Sequence, residues 1–127
     1  MNEAQIRRFL ERYGQALRTG DLAEIVRCWE VPALVLADEG AVPVSASGEI
    51  ERFFEQAVGE HHAQELVATR PQLERAEILT DRLAAVDVRW SSFDAAGAER
   101  SSERSYYILR RGDDGQLHIR VTLVRAA

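Results

Sequence analysis

The sequence contains no lysine, and all 16 of its basic residues are arginines. Schiff-base catalysis and lysine-based phosphate binding are therefore excluded. The single cysteine, Cys28, excludes an internal disulfide framework and a zinc site built from several cysteines. No apolar run approaches the roughly 18 residues of a membrane span, and the N-terminus lacks the pattern of a signal peptide. We therefore expect a cytoplasmic protein that does not bind a membrane.

The charge balance and the absence of several motifs exclude further classes of protein. A net charge of −5 at pH 7 argues against binding to nucleic acid or to an anionic membrane. The sequence has no glycine-rich phosphate loop, nucleotide-binding fingerprint or Ser/His/Asp order. The adjacent histidines His61 and His62 would point about 100° apart on a helix, and no third ligand follows at a recognisable spacing. We therefore expect neither a metal nor a cofactor.

The composition is typical of a globular protein. Hydrophobic residues make up 46% and charged residues 29% of the 127 residues, which is enough apolar material for one core. A chain of this length buries roughly two-thirds of its unfolded surface. The sequence shows no internal repeat, linker or low-complexity segment. We therefore expect a single domain over residues 1–127.

The first half of the chain contains the helical periodicity. Asn2 and Gly20 predict the beginning and the end of one helix. Asp21 predicts the start of a second helix that continues to Pro32, and Ser47 predicts the start of a third. The apolar faces of the three helices are Ile6, Phe9, Leu10, Tyr13 and Leu17, then Leu22, Ile25, Val26 and Trp29, then Ile50, Phe53, Phe54, Ala57 and Val58.

The remaining segments have the period of β-strands. We predict a buried strand at 33–37 and its return arm at 41–44, which is an edge strand because it contains Pro43. Longer strands follow at 66–79, interrupted at Pro71, and at 83–93, 101–111 and 117–123. Helices early and strands late predict an α+β fold, with three helices packed in the concave face of a strongly curved, mixed or antiparallel sheet.

Alternation within the long strands predicts which side chains face the helices. The predicted inner set is Ala84, Val86, Val88 and Trp90, together with Leu117, Ile119, Val121 and Leu123. The predicted outer set is Asp87, Arg89, His118, Arg120 and Thr122.

Several short motifs occur in the order of one known superfamily. They are Arg12-Tyr13, Arg18 to Leu22, Ile25-Val26 and Trp29, the hairpin Asp38-Glu39-Gly40, Ser47 to Ile50 before Phe53-Phe54, and the hairpin Asp113-Asp114-Gly115. With these motifs the chain resembles the nuclear transport factor 2-like superfamily over roughly residues 3 to 125. The resemblance implies a cystatin-like cone. That superfamily includes ketosteroid isomerases, polyketide cyclases, an epoxide hydrolase, dehydratases and non-catalytic modules, so the fold alone does not settle function.

Two residues match the ketosteroid isomerase pattern, and a third position departs from it. Tyr13 stands where those enzymes place a hydrogen-bonding tyrosine, and Asp38 stands within one residue of their catalytic aspartate. Their second oxyanion donor is a protonated aspartate, and its place is taken here by Tyr107, which is not an acid. The resemblance implies that Asp38 moves a proton while Tyr13 and Tyr107 stabilise an oxyanion. Alternatively, Tyr13 is an ordinary buried tyrosine and Asp38 a hairpin-turn residue.

A cone that is open inside would offer an apolar pocket. Its lining residues would be Trp29, Phe53, Phe54, Trp90 and Tyr106, with His61 and His62 at the mouth. The leading function is therefore the binding of a small hydrophobic molecule that carries a carbonyl group. If the protein is an enzyme, we expect it to isomerise, cyclise or dehydrate that molecule. Alternatively, the aromatic residues are core and a histidine compensates the charge of a helix end.

The outer face of the sheet suggests a second function of a different class. Its polar side chains are either a solvated face with cross-strand ion pairs or a homodimer interface through Arg89, His118 and Arg120. In the second case the protein is a non-catalytic dimerisation or protein-interaction module that uses this face.

Overall fold

The protein is described by a computed structural model that covers residues 1–63 and 66–125, with side chains at 1–60 and 68–123. Within these ranges the elements follow the predicted order of helices and strands. They are α1 (Glu3–Thr19), α2 (Leu22–Arg27), β1 (Trp29–Ala37), β2 (Gly40–Val44), α3 (Ser47–Ala63), β3 (Leu66–Ile78), β4 (Leu83–Asp94), β5 (Glu99–Arg111) and β6 (Leu117–Arg125).

Helix α1 has the predicted ends. The side chain of Asn2 accepts a hydrogen bond from the backbone N–H of Gln5, and Gln5 reaches back to the N–H of Asn2, which completes a capping box. Gly20 ends the helix in the left-handed conformation, with φ of 67°. This geometry favours glycine because a Cβ atom is strained there.

Helix α2 is shorter than predicted. Its N-cap is Asp21 as expected, but it ends at Arg27, and Trp29 already begins strand β1. The prediction that the helix continues to Pro32 is therefore wrong. The reason is a long-range contact, because the N–H of Ile119 in β6 donates to the carbonyl oxygen of Cys28 at 2.8 Å.

The strands form a six-stranded sheet in the order β2-β1-β6-β5-β4-β3. Strands β1 and β6 are parallel, while the other neighbouring pairs are antiparallel, so the sheet is mixed. Both outermost strands contain a proline, Pro43 in β2 and Pro71 in β3. Proline is tolerated at a sheet edge because no neighbouring strand needs its missing N–H.

The hydrophobic core lies between the helices and one face of the sheet. Strand β4 contributes the predicted alternating set, with Ala84, Val86 and Val88 fully buried. The helices contribute the predicted faces of α1 and α2, including Ile6 and Ile25, which are also fully buried. The α+β fold predicted from the sequence is thus confirmed. Among the described residues, no helix is long and apolar enough to span a membrane.

Strand β6 departs from simple alternation. Leu109 pairs with Ile119, whereas the preceding residue Ile108 pairs with Val121. Arg120 is therefore an extra residue on β6, the arrangement of a β-bulge.

The bulge reverses the faces of the following residues. Thr122 pairs with the core residue Tyr107 and is 7% exposed, so it lies on the inner face. Val121 and Leu123 lie on the outer face. The prediction that Val121 and Leu123 face the core and Thr122 faces outward is therefore wrong, because one inserted residue moves every later side chain to the opposite face.

Candidate functional site

Four aromatic side chains form two hydrogen-bonded pairs inside the core. Trp29 Nε1 donates to Tyr13 Oη at 3.2 Å, and Trp90 Nε1 donates to Tyr107 Oη at 2.9 Å. All four residues are buried. Buried indole N–H groups need an acceptor, and the two hydroxyls provide it.

The structure brings Tyr13 and Tyr107 together, as the isomerase-like hypothesis requires. Their ring centroids lie 6.4 Å apart in an edge-to-face arrangement. Tyr13 also meets Trp90 edge-on at 5.8 Å and Phe54 at 6.4 Å. Helix α1 therefore places Tyr13 at the centre of an aromatic cluster made with β4, β5 and α3.

Both hydroxyls are held in their neutral form. Burial raises the pKa of Tyr13 well above its ordinary value, and the proximity of Tyr107 raises it further. Burial raises the pKa of Tyr107 to about 12, against the opposing effect of hydrogen bonds from Ser105 and Trp90. Each tyrosine is therefore a hydrogen-bond donor at neutral pH, and neither is a base.

Asp38 lies away from this cluster. Asp38 and Glu39 form the turn between β1 and β2, and both are exposed. Of the two interpretations, the structure shows the hairpin turn, and the desolvated environment expected for a base is not found. Among the described side chains, no hydrogen bond joins Asp38 to either tyrosine. A catalytic role for Asp38 stays a prediction.

The expected pocket residues divide into three groups. Trp29, Trp90 and the half-buried Phe54 face the interior, where Phe54 lies 6.1 Å from Trp29. Phe53 is 65% exposed, and Tyr106 pairs with outer-face residues of β4 and β6. The expectation that Phe53 and Tyr106 line the interior is therefore wrong. Phe53 is mostly exposed, although its ring contacts that of Phe54 at 5.1 Å, and Tyr106 lies on the face of β5 opposite Tyr107.

The two remaining expected residues are His61 and His62. They belong to the last turn of α3, but their side chains lie outside the described residues. Elsewhere in the described part of the chain, no group of three or more His, Cys, Asp or Glu residues is arranged to hold a metal ion.

The outer face of the sheet carries an apolar patch that the sequence analysis missed. We define the outer patch as Leu34, Leu36, Ile108, Val121 and Leu123, all of which are partly exposed. Val121 pairs with both Leu34 and Ile108, and Leu123 pairs with Leu36, so the residues form two adjacent cross-strand rows. Alternation in β1 and β5 contained the signal for Leu34 and Ile108, whereas the bulge hid Val121 and Leu123.

Ion pairs border the outer patch at both ends. Glu30 accepts hydrogen bonds from Arg110 at 3.1 Å and from Arg120 at 2.6 Å. Although burial acts to raise the pKa of Glu30, the two arginines outweigh it and hold that pKa below its ordinary value. At the other end, Arg104 donates to Asp87 at 3.1 Å.

The other two predicted interface residues also make polar contacts. Arg89, whose register partners are Gln72 and Arg104, pairs with Glu99 at 3.5 Å. His118 Nδ1 lies 3.0 Å from the carbonyl oxygen of Arg27, and its Nε2 lies 3.1 Å from Asp114 Oδ2. Charged residues therefore lie at both ends of the outer patch, which is itself apolar.

A surface hollow of about 530 Å³ opens at the end of the outer face near Glu30. It is lined by Pro32, Ala33, Leu34, Leu83, Arg110, Arg120 and Val121. This hollow lies on the side of the sheet opposite the predicted interior pocket.

Comparison with known proteins identifies the family. The sequence model described as "NTF2-like protein (DUF6841)" matches residues 2–127. The chain belongs to this NTF2-like family, in agreement with the resemblance to the nuclear transport factor 2-like superfamily. No curated protein matches the chain.

Solved structures show the same fold at low sequence identity. A Nostoc punctiforme domain of unknown function with a cystatin-like fold has a TM-score of 0.76 and 19% identity, over 100% of this chain and 80% of that one. An NTF-2 like protein of unknown function from Shewanella oneidensis has a TM-score of 0.76 and 13% identity, with 98% of each chain covered. A Xanthomonas campestris protein, described as a "Putative calcium/calmodulin dependent protein kinase II association domain", has a TM-score of 0.70 and 16% identity, over 100% of this chain and 89% of that one. The cystatin-like cone is thus confirmed.

Proposed function

We propose that the protein is an association module that pairs with a second copy of itself through the outer face of its sheet. The observation that carries this proposal is the outer patch. Two adjacent rows of leucine, isoleucine and valine lie on the face opposite the helices, and charged residues border them. An apolar centre with a polar rim is the usual anatomy of a protein interface.

A second copy is the occupant that this surface fits best. Homodimers with two-fold symmetry are the commonest oligomers, and they place the same patch of each subunit in contact. A patch of aliphatic side chains is complementary to itself, because it contains no charge that would meet a like charge at the centre. The similar Xanthomonas campestris fold, described as an association domain, supports the same use of the fold.

Sedimentation velocity tests the pairing. We expect a dimer at tens of micromolar protein, and a monomer when a charge is placed in the patch by Leu36→Asp or Ile108→Asp, since each carboxylate would be buried without a partner. The matched control is Leu79→Asp at the exposed turn between β3 and β4, where Leu79 is 47% exposed. This control should remain dimeric.

The charged border should contribute less than the apolar centre. Reversal of Arg89 to Glu should weaken the dimer moderately and make its dissociation constant more dependent on salt. A wild-type monomer at these concentrations, or folded dimers of both Leu36→Asp and Ile108→Asp, would refute the proposal.

A second candidate function is the binding of a carbonyl-bearing apolar molecule at Tyr13 and Tyr107. The specific observation is that each hydroxyl accepts an indole N–H and retains its own proton to donate. Two such donors in apolar surroundings suit a carbonyl or enolate oxygen. Because the surrounding aromatic residues are packed against one another, this function requires the cluster to open.

A thermal-shift screen with steroids, polyketide-like aromatics and terpenoids tests the second candidate. A ligand at about 100 times its dissociation constant adds roughly 2.7 kcal/mol, which corresponds to several degrees in Tm. The shift should disappear in Tyr107→Phe and persist in Tyr106→Phe. If the protein turns over one of these compounds, Asp38→Asn tests the role of Asp38. Turnover should be lost if Asp38 is the base and should persist if Asp38 is only a turn residue. No shift for any compound would reject this candidate.

A further inference from the structure

The hollow on the outer face combines an apolar wall with two cations. Leu34, Leu83, Val121 and Pro32 supply the apolar surface, and Arg110 and Arg120 are the charged residues of the lining. Its volume of about 530 Å³ lies within the range of small-molecule sites. Among the residues that the structure describes, no acidic side chain lines the hollow.

The two guanidinium groups are held close together by a single oxygen. Arg110 Nη1 and Arg120 Nη1 both donate to Glu30 Oε1, at 3.1 Å and 2.6 Å. Arg120 is fixed further, because its Nε donates to the carbonyl oxygen of Pro32 at 2.9 Å. Each guanidinium has five N–H donors, so both retain donors beyond those that bind Glu30 and Pro32.

Glu30 is one carboxylate shared by two guanidinium groups. Asp113 also acts on Arg110 electrostatically, but its hydrogen bond is to Arg82. The remaining donors of Arg110 and Arg120 suit a further carboxylate, because planar guanidinium groups bind carboxylates through paired hydrogen bonds. The apolar wall beside the arginines would hold a hydrophobic body attached to that carboxylate.

We propose that this hollow binds an apolar monocarboxylic acid, with the carboxylate on Arg110 and Arg120 and the hydrocarbon body against Leu34, Leu83 and Val121. This inference goes beyond the proposed pairing, because the hollow is built entirely from one chain. The hollow shares Leu34 and Val121 with the outer patch, so the acid and a second copy meet at neighbouring parts of one face.

Isothermal titration calorimetry with three probes tests the ligand class. The probes are 4-phenylbutyrate, the matched neutral alcohol 4-phenylbutan-1-ol, and acetate, which has the carboxylate without the apolar body. We expect 4-phenylbutyrate to bind at least about tenfold more tightly than either of the others, because only it uses both parts of the hollow. Equal binding of the alcohol would overturn the role of the arginines, and equal binding of acetate would overturn that of the apolar wall.

Three variants test the residues. Arg110→Gln should weaken 4-phenylbutyrate binding about tenfold, while the matched control Arg100→Gln should leave it unchanged, since Arg100 also pairs with one carboxylate, that of Asp94, but lies at the other end of β5 and outside the lining. Glu30→Gln should tighten binding, because it removes the competing carboxylate. Equal effects of Arg110→Gln and Arg100→Gln, or weaker binding by a folded Glu30→Gln variant, would overturn the proposal.

The titrations are made on the wild-type protein and on Leu36→Asp, whose changed residue does not line the hollow. Sedimentation velocity on the same samples reports pairing independently of binding. Binding by either protein supports the carboxylate site, and binding by Leu36→Asp alone shows that pairing covers it. Absence of binding to both proteins overturns the site, whatever their oligomeric state.

Discussion

Trp90 on β4 donates its indole N–H to the hydroxyl of Tyr107 on β5 at 2.9 Å, and both side chains are buried on the inner face of the sheet. The second pair, Trp29 and Tyr13, joins the start of β1 to α1 at 3.2 Å. Each pair satisfies two polar groups that would otherwise be buried at a cost. The interior of the fold therefore depends on polar as well as apolar complementarity.

Removal of the Tyr107 hydroxyl should destabilise the protein. Tyr107→Phe leaves the Trp90 N–H buried without its acceptor, and we expect the free energy of unfolding to fall by about 1–3 kcal/mol. The matched control is Tyr106→Phe on the opposite face of the strand, where the side chain is partly exposed and a smaller loss is expected. Urea denaturation measures both. Equal losses would show that the hydrogen bond between Trp90 and Tyr107 does not contribute to the free energy of unfolding.

Alkaline pH should weaken the fold through the same residues. In the unfolded chain a tyrosine ionises near pH 10, whereas in the folded protein burial raises the pKa of Tyr107 to about 12. The contribution of the neutral tyrosine to the free energy of unfolding is therefore complete below about pH 10 and is lost as the pH rises toward 12. Over that range the free energy of unfolding should fall by up to about 1.4 kcal/mol per pH unit for each buried tyrosine. Urea denaturation between pH 8 and 11 should show a shallower decline for Tyr107→Phe. Parallel curves for this variant and the wild type would show that ionisation of Tyr107 does not cause the alkaline loss of stability.

Two helical glycines should respond in different ways to alanine. A Cβ atom on Gly59 in α3 would meet no atom within 4 Å, so Gly59→Ala should stabilise the protein by about 0.5–1 kcal/mol. A Cβ atom on Gly14 in α1 would lie 3.2 Å from Pro71 Cδ and 3.4 Å from Trp90. We expect Gly14→Ala to lose this gain, because a rigid ring and a packed indole must move. Equal stabilisation of both variants would show that α1 and β3 are not tightly packed there.

Cys28 should be unreactive in the folded protein. Its side chain is fully buried, and burial raises the pKa of its thiol to about 11. Because the thiolate is the reactive form, Ellman's reagent at pH 8 should label the native protein slowly and the urea-unfolded protein at once. Rapid labelling of the native protein would place Cys28 at an accessible position instead.

Features set by neighbouring residues were predictable from the sequence. The capping box at Asn2, the left-handed end at Gly20 and the alternation of β4 each depend on residues a few positions apart. The inward position of Tyr13 followed from the helical period of α1. Tyr107 was placed by the resemblance alone, and its neighbour Tyr106 was wrongly expected to line the interior. The turn at Asp38 was also predicted from its neighbouring residues, as one of two interpretations.

Features set by distant contacts were not predictable in this way. The helical period of α2 extends to Trp29, but parallel pairing with β6 makes Trp29 a strand residue. The extra residue in β6 turned Val121 and Leu123 outward and so supplied two of the five residues of the outer patch. Nothing in the local pattern marks that insertion, because it is defined only by the register of the neighbouring strand.

The sequence by itself determined the α+β class, the absence of lysine chemistry, and the inward position of Tyr13, because composition and short-range periodicity encode them. Only the tertiary structure decided which residues meet on the outer face of the sheet. Glu30 meets Arg110 and Arg120 across 80 and 90 residues of chain, and the outer patch joins three strands. Such sites arise from strand order and register, which depend on the packing of the whole chain.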